Sequence, residues 1–450
     1  MKREIKIGNA QAFWGDSPDA AALLLQQQPD LDYITLDYLS EVSLSIMAIQ
    51  REKDPEAGYA KDFVAVIASL IPAWKAGSRV KIITNAGGLD PQRCADACAK
   101  VLAAAGIPRK RIGVVTGDDV LGAIRGQPTE KHFHNMDSGD SVVTVLKDLV
   151  TANAYLGAEP IVDALHKGAD IVITGRTADP SLTVAPCVTE FGWAWDDYDR
   201  LAQATLAGHL IECGTQATGG ISTEWLQIAD PAAIGFPFVE MSADGGFVLT
   251  KPDAAGGVVD RNTVREQLLY ELGDPEAYIS PDLVMSVLDV TLEEAGPNRI
   301  AVKGAKGRAP TPYLKVSATY RDGFRSEGSL IIVGQDVREK AQRTGEVIAT
   351  KMREAGLEPE RIVVECLGTG DVVPGIVEKP NHAFGECVMR VAIADHRPEV
   401  LEYFTHLIAP LVTAGAPGTT GYTTGRPHVR PIFGFWPCLI PREQVKIGIS

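Results

Sequence analysis

Arg176 stands in the run Thr174-Gly175-Arg176-Thr177-Ala178-Asp179, directly after a short β-branched stretch. A guanidinium in that place can hold a carboxylate or phosphate through two parallel hydrogen bonds. The alternative is a pairing with Asp179 or Asp37 that neutralises the edge of a sheet. Asp37 closes a second β-branched stretch, with Glu41 expected in the first turn of the next helix, and Gly117-Asp118-Asp119 closes another. Carboxyls so placed act as acid–base groups or magnesium ligands, or make the local turn hydrogen bonds for which aspartate is common there. Asp16, in Phe13-Trp14-Gly15-Asp16, belongs to the same class. Thr84-Asn85-Ala86-Gly87-Gly88 adds an amide and two glycines, whose lack of a side chain lets backbone N–H groups approach an anion.

A second constellation is Gly208-His209-Leu210-Ile211-Glu212-Cys213-Gly214. On a helix over 199–213, His209, Glu212 and Cys213 fall at i, i+3 and i+4 and share a face. His209 is then a general acid or base oriented by Glu212, or a structural histidine. A helix C-terminus raises a histidine pKa and does not activate a thiolate, which argues against Cys213 as nucleophile. His132 and His134 sit two apart, a spacing that permits metal binding on a strand, but nothing else has ligand spacing, and a surface or loop role is preferred. Walker, Rossmann-glycine, HExxH and CxxC signatures are absent.

These residues need a scaffold that gathers them. Short runs, Ile5-Lys6-Ile7, Tyr33 to Leu36, Val80 to Ile83, Ile112 to Val115 and Ile171 to Ile173, alternate with helical stretches. That pattern predicts a parallel sheet with helices on both faces, ligands binding beyond the strands' carboxyl ends. Ser17-Pro18, Asp90-Pro91 and Asp179-Pro180 read as capped helix starts pointing toward that edge, where their free N–H groups favour an anion. Phe63, Val64, Ile67, Leu70 and Ile71 mark one packing face, and Cys94, Cys98, Val101 and Leu102 another, with the two cysteines as small buried hydrophobes.

From about residue 280 the texture becomes strand-rich. Val284 to Val290, Ile300 to Val302, Leu314 to Tyr320 and Ser329 to Val333 read as strands, with Asp322-Gly323 as a turn. A helix carrying Val337, Ala341, Val347, Ile348 and Met352 follows, then strands near 362–365 and 387–393 and a helix over 398–411. The expectation is an α/β domain over 1–280 and a smaller α+β domain over 281–450, joined between Gly273 and Pro281.

Length and charge narrow the function. A chain of 450 residues suggests two domains. With 43 basic against 58 acidic side chains the net charge is −15, which disfavours nucleic acid and anionic membrane surfaces. The N-terminus has no apolar leader, no apolar run spans a bilayer, and seven cysteines form no disulfide framework. A cytoplasmic protein is expected.

The chain resembles the acyclic terpene utilisation (AtuA-like) family, formerly a domain of unknown function. The matching segments include Phe13 to Asp16, Asp37-Tyr38-Leu39 with Glu41, Thr84 to Gly88, Thr174-Gly175-Arg176 with Ala178 to Leu182, Ala207-Gly208-His209 with Glu212-Cys213-Gly214, Thr218-Gly219-Gly220, Thr250-Lys251-Pro252 and Gln267 to Glu271. The resemblance implies bacterial catabolism of branched acids as coenzyme A thioesters. It also implies a small ferredoxin-like partner, which this chain leaves no room for after Ser450, so a separate subunit and self-association are expected.

Together these readings predict a lyase, a hydratase or dehydratase for a branched hydroxy- or polycarboxylic acid or its coenzyme A ester. Asp37, His209 and Glu212 are the catalytic candidates; Asn85, Gly87, Gly88, Arg176 and Asp179 are the substrate-binding ones. No cofactor is assigned beyond Mg²⁺ or the thioester itself. The rival is a non-catalytic subunit that binds an acyl ligand or scaffolds a catabolic complex.

Overall fold

The computed structural model describes residues 2–107, 109–127, 132–373, 375, 385–421 and 425–450. The chain forms two compact units. One comprises the residues up to Thr319 together with Phe435–Ser450, and the other is Tyr320–Gly434.

The first unit is built on strands β1 (Glu4–Asn9), β2 (Tyr33–Leu36), β3 (Lys81–Thr84), β4 (Ile112–Thr116), β5 (Leu149–Ala154), β6 (Ile171–Thr174), β7 (Phe238–Ser242) and β8 (Phe247–Thr250). Strands β1, β2, β3, β6 and β4 lie side by side in that order, all parallel. Every strand expected for the parallel sheet is present. β7 and β8 extend it antiparallel beyond β1, followed by Arg299–Lys303 and Thr291–Gly296, and Gly448–Ile449 closes the opposite side along β4.

Side-chain alternation gives this sheet two dry faces. Ile5, Ile7, Tyr33, Ile83, Val172 and Val115 point to one, where they pack with α6 (Glu159–His166), α7 (Ser181–Phe191) and α8 (Tyr198–Glu212). Ile34, Leu36, Ile82, Ile171, Ile173 and Val114 point to the other, with α1 (Ala20–Gln27), α3 (Phe63–Lys75) and α4 (Pro91–Ala104). Strands buried on both faces read as nearly continuous apolar runs, which is why the sequence reveals them. Cys94 and Cys98 are fully buried on the α4 face, as their spacing predicts.

The helix starts are less uniform than expected. Asp90 does cap α4, accepting the Arg93 N–H at 3.0 Å, with Pro91 at the first helical position. The helix after Ser17-Pro18 begins only at Ala20, and neither it nor α7 has a side-chain cap. Asp179 is diverted to Arg176 instead.

Among the elements of the first unit that the sequence pattern does not reveal are β5, β7 and β8. β5 pairs with the strand Tyr313–Val333, the Thr151 and Thr319 hydroxyls lying 2.7 Å apart. The expected boundary near 273–281 does not coincide with the observed division. Val284–Ser286 and Arg299–Lys303 both belong to the first unit, and the latter covers what would be an open edge at β8.

In the second unit, Glu386–Asp395 pairs antiparallel with Phe324–Val333 on one side and Arg361–Leu367 on the other. Val337–Glu354 and Pro398–Thr405 pack against this sheet around Leu330, Ile332, Ile348, Met389 and Phe404. Asp322-Gly323 is not a chain reversal. It lies inside Tyr313–Val333, where Gly323 takes φ +78° and a Cβ would meet the Asp395 carbonyl. The helix expected over 398–411 stops at Thr405 and resumes only over Leu411–Ala414. Among the described residues no helix is long and apolar enough to cross a membrane.

Candidate functional site

The carboxyl ends of β2 and β6 deliver Asp37 and Arg176 to the same edge of the sheet, and the last turn of α8 brings His209 and Glu212. They meet around two cavities of about 390 and 420 Å³, which share the side chains of Glu41, Arg176, Asp179, Glu212 and Glu271. The first is polar and also takes in Asp16, Asp37, Ser40, Cys213 and Gln216. The second is more apolar, with Met136, Tyr155, Tyr278, Ile279, Tyr313 and Leu439 added to His209. Asp37, Arg176, Asp179, His209 and Glu212 thus converge, although far apart in sequence.

Arg176 is 2% exposed. Its Nη1 donates to the Leu39 carbonyl at 2.6 Å and to Asp179 Oδ1 at 2.7 Å, and the guanidinium lies 4.1 Å from the Tyr155 ring centroid. Burial opposes its charge, but Asp179, Tyr155 and Asp37 hold its pKa well above the usual value. The pairing with Asp179 anticipated as the alternative to anion binding is therefore made. It does not exhaust the donors, because Arg176 Nε is buried without a partner.

Asp37 is buried, and its Oδ1 accepts from Asn85 Nδ2 at 2.6 Å. Burial and the neighbouring Asp179 push its carboxyl well above the usual range, against the pull of Arg176 and Asn85. Burial thus favours the protonated form of this carboxyl.

His209 and Glu212 are one turn apart on α8, with Nδ1 to Oε1 at 3.1 Å; His209 Nε2 lies 3.3 Å from the Leu268 carbonyl. Burial pushes Glu212 up to about 7, although His209 draws it down, and its Oε2 has no partner. For His209, burial favours the neutral ring, but Glu212 and the Leu268 carbonyl outweigh it and raise the pKa. Cys213 is pushed up by burial and by Glu212, so no thiolate forms there, as the sequence suggests.

Other candidates are structural. Asn85 is fully enclosed and spends its amide on Asp37 and the Tyr38 N–H. Gly87 and Gly88 line neither cavity: a Cβ on Gly87 would strike the Thr174 carbonyl and Pro91, and one on Gly88 would strike Met47. Their lack of side chains serves packing rather than approach to a ligand. Asp118, pushed up to about 6 by burial, holds the loop after β6 by accepting from Arg176 N at 2.8 Å and Asn153 Nδ2 at 2.7 Å. Asp119 accepts the Leu121 N–H, and Glu41 precedes α2 (Ser43–Lys53) rather than lying within it. His132 and His134 are exposed loop residues on either side of buried Phe133. Among the described residues no group of three or more His, Cys, Asp or Glu side chains could hold a metal ion.

Tyr155, Tyr278 and Asn9 escaped the sequence reading. Tyr155 stacks on Arg176 and donates to Glu41 Oε1 at 3.1 Å; Tyr278 faces the His209 ring at 5.5 Å. Asn9 Nδ2 donates to the carbonyls of Ile211 and Glu212, closing the end of α8 against β1. Tyr155 follows a strand that the sequence does not reveal; Asn9 ends β1, a position of the same kind as those of Asp37 and Arg176; Tyr278 has no local pattern to mark it.

A family model described as acyclic terpene utilisation family protein AtuA matches residues 5–450. No curated protein and no solved structure matches the chain.

Proposed function

The chain belongs to the acyclic terpene utilisation family AtuA, and from that premise we propose that it is an acid–base lyase, a hydratase or dehydratase for a branched hydroxyacyl substrate. One observation carries the reading: Asp37, Glu212 and His209 stand with the buried Arg176 around one pair of adjoining cavities. Elimination of water needs an acid for the departing hydroxyl and a base for the neighbouring C–H. Asp37, whose protonated form burial favours, suits the first task, and the His209–Glu212 pair, with Glu212 near 7, suits the second. The unpartnered Arg176 Nε is the donor for the acyl oxygen, on which negative charge develops as the proton leaves.

Charge favours a thioester over a free polycarboxylate. Asp16, Glu41, Asp179 and Glu271 outnumber the two cations of the lining, Arg176 paired to Asp179 and Lys315 lying 3.9 Å from Glu41, so a free carboxylate meets repulsion that a neutral acyl oxygen does not. A separate small subunit and self-association belong to the same proposal, as does a cytoplasmic location.

The test is incubation of the purified protein in D₂O with matched hydroxy acids and their coenzyme A thioesters, with and without Mg²⁺. Products are followed by mass and NMR. The expected result is loss or gain of water with deuterium at the α-carbon, thioesters outpacing free acids. Ligand binding without turnover or exchange, unchanged by Mg²⁺, supports the carrier or scaffold instead.

A further inference from the structure

The two ring nitrogens of His209 face two acceptors. Nε2 meets the Leu268 carbonyl, one of the last carbonyls of α9 (Arg261–Leu269), which have no continuing helix to donate to them. Nδ1 meets Glu212 Oε1. A neutral imidazole carries only one N–H. If Glu212 is ionised while His209 is neutral, one ring nitrogen points a lone pair at an oxygen lone pair. Both contacts are satisfied together with a carboxylate only when both nitrogens carry protons. The ring also has no free nitrogen to offer a substrate, whereas Glu212 lines both cavities and keeps Oε2 without a partner.

We infer that the division of labour is the reverse of the obvious one: Glu212 Oε2 is the atom that exchanges a proton with the substrate, and His209 is a fixed imidazolium that positions Glu212 and keeps it ionisable. This deepens the lyase proposal and rests on it for the identity of the substrate proton. The step balances simply. The substrate C–H bond breaks, its proton forms a bond to Oε2, and its electron pair passes to the acyl oxygen at Arg176. Glu212 becomes neutral, His209 stays charged, and the return step reverses each transfer.

The surroundings explain why Glu212 needs such a partner. Asp179 faces it from the loop after β6 and Glu271 from beyond α9; both resist its ionisation. Asp37, from the end of β2, and Cys213 and Tyr278 interact with its charge as well. Arg176 and Lys315 are the other cations of the lining; Asp179 already occupies the first, and the second lies 3.9 Å from Glu41. The α8 C-terminus, where His209 sits, favours a cationic ring in addition.

The decisive measurement needs no substrate. Histidine labelled with ¹⁵N reports the protonation of each ring nitrogen, and His209→Asn, or His209→Gln if the first does not fold, assigns the signal. Both His209 nitrogens are expected to remain protonated at pH 8, well above the roughly 6.5 of a free side chain, and to lose that state in Glu212→Gln. One unprotonated nitrogen at pH 8 in the wild type overturns the inference, even in a protein that turns over. Where turnover is found, Glu212→Gln should lower α-proton exchange by about 10²-fold or more. His209→Asn should keep a residual rate whose acid limb moves to higher pH, because Glu212 has lost its counter-charge. A His209→Asn protein inactive at every pH, beside an active Glu212→Gln, also overturns it. Absence of turnover counts against the lyase proposal alone and leaves the nitrogen measurement standing.

Discussion

Asn85 Nδ2 lies 2.6 Å from Asp37 Oδ1, while the same amide's Oδ1 accepts the Tyr38 N–H at 2.7 Å. One side chain at the end of β3 thereby fixes both the carboxyl and the backbone that leave the neighbouring β2. Asn85→Ala should cost about 2–4 kcal/mol, since it strands two buried polar groups at once. Urea denaturation measures it. Asn85→Asp should cost more above neutral pH than below, because it sets a second carboxyl against Asp37.

Gly88 holds φ +53°, and a Cβ there collides with Met47 Sδ. Gly88→Ala should therefore destabilise by roughly 2–4 kcal/mol, part backbone and part overpacking. Met47→Ala, costly by itself in the buried core, should recover the part due to Met47 in the double variant, while the close approach to the Gly58 carbonyl remains. A coupling of about 1 kcal/mol or more by denaturant titration separates this collision from the loss of a ligand contact. Simple additivity would show the two sites to be independent.

The parallel strands and most of their helices were legible because strands buried on both faces advertise themselves as apolar runs. Asp37 and Arg176 stand out in the sequence because each closely follows an apolar strand run, and His209 because it shares a helix face with Glu212. β5 was missed because Leu149 to Ala154 mixes Thr151 and Asn153 into the run, and β7 because Glu240 interrupts Phe238 to Ser242. Tyr155 was lost along with β5. What no sequence pattern supplies is which partner a polar group chooses. Asp179 reads as a helix cap and is an arginine's counter-ion; Asn85 reads as a ligand donor and is a strut.

Arg176 is tied to Asp179, to the Leu39 carbonyl and to the Tyr155 face. Arg176→Ala removes the centre of all three, and an unpaired partner left in a buried setting makes a loss of about 3–5 kcal/mol the expectation. Arg176→Lys keeps the charge but neither the planar stack nor the fork, so it should fall between wild type and Arg176→Ala. Thermal and chemical denaturation give the order. A lysine variant as weak as the alanine one would assign the loss to geometry, and one equal to wild type would assign it to charge.

Asp118 offers the cleanest pH signature in the fold. Burial raises its carboxyl to about 6 while Arg176 N and Asn153 donate to it. Its folded pKa lies above the unfolded one, so between about pH 4 and 6 the folded state binds more protons than the unfolded chain. Stability from this group is complete below pH 4 and is lost as pH rises through 6. A shift of this size corresponds to roughly 3 kcal/mol. Asp118→Asn abolishes the titration and leaves Asp37 and Glu212, which titrate in both proteins. Urea midpoints for wild type and variant between pH 4 and 7.5 should converge or cross, the wild type falling by roughly 3 kcal/mol relative to Asp118→Asn. Any cost of an imperfectly seated amide displaces the variant by a constant and leaves this slope intact. Two parallel curves would mean that Asp118 is ionised throughout and that its two donors, rather than burial, set its pKa.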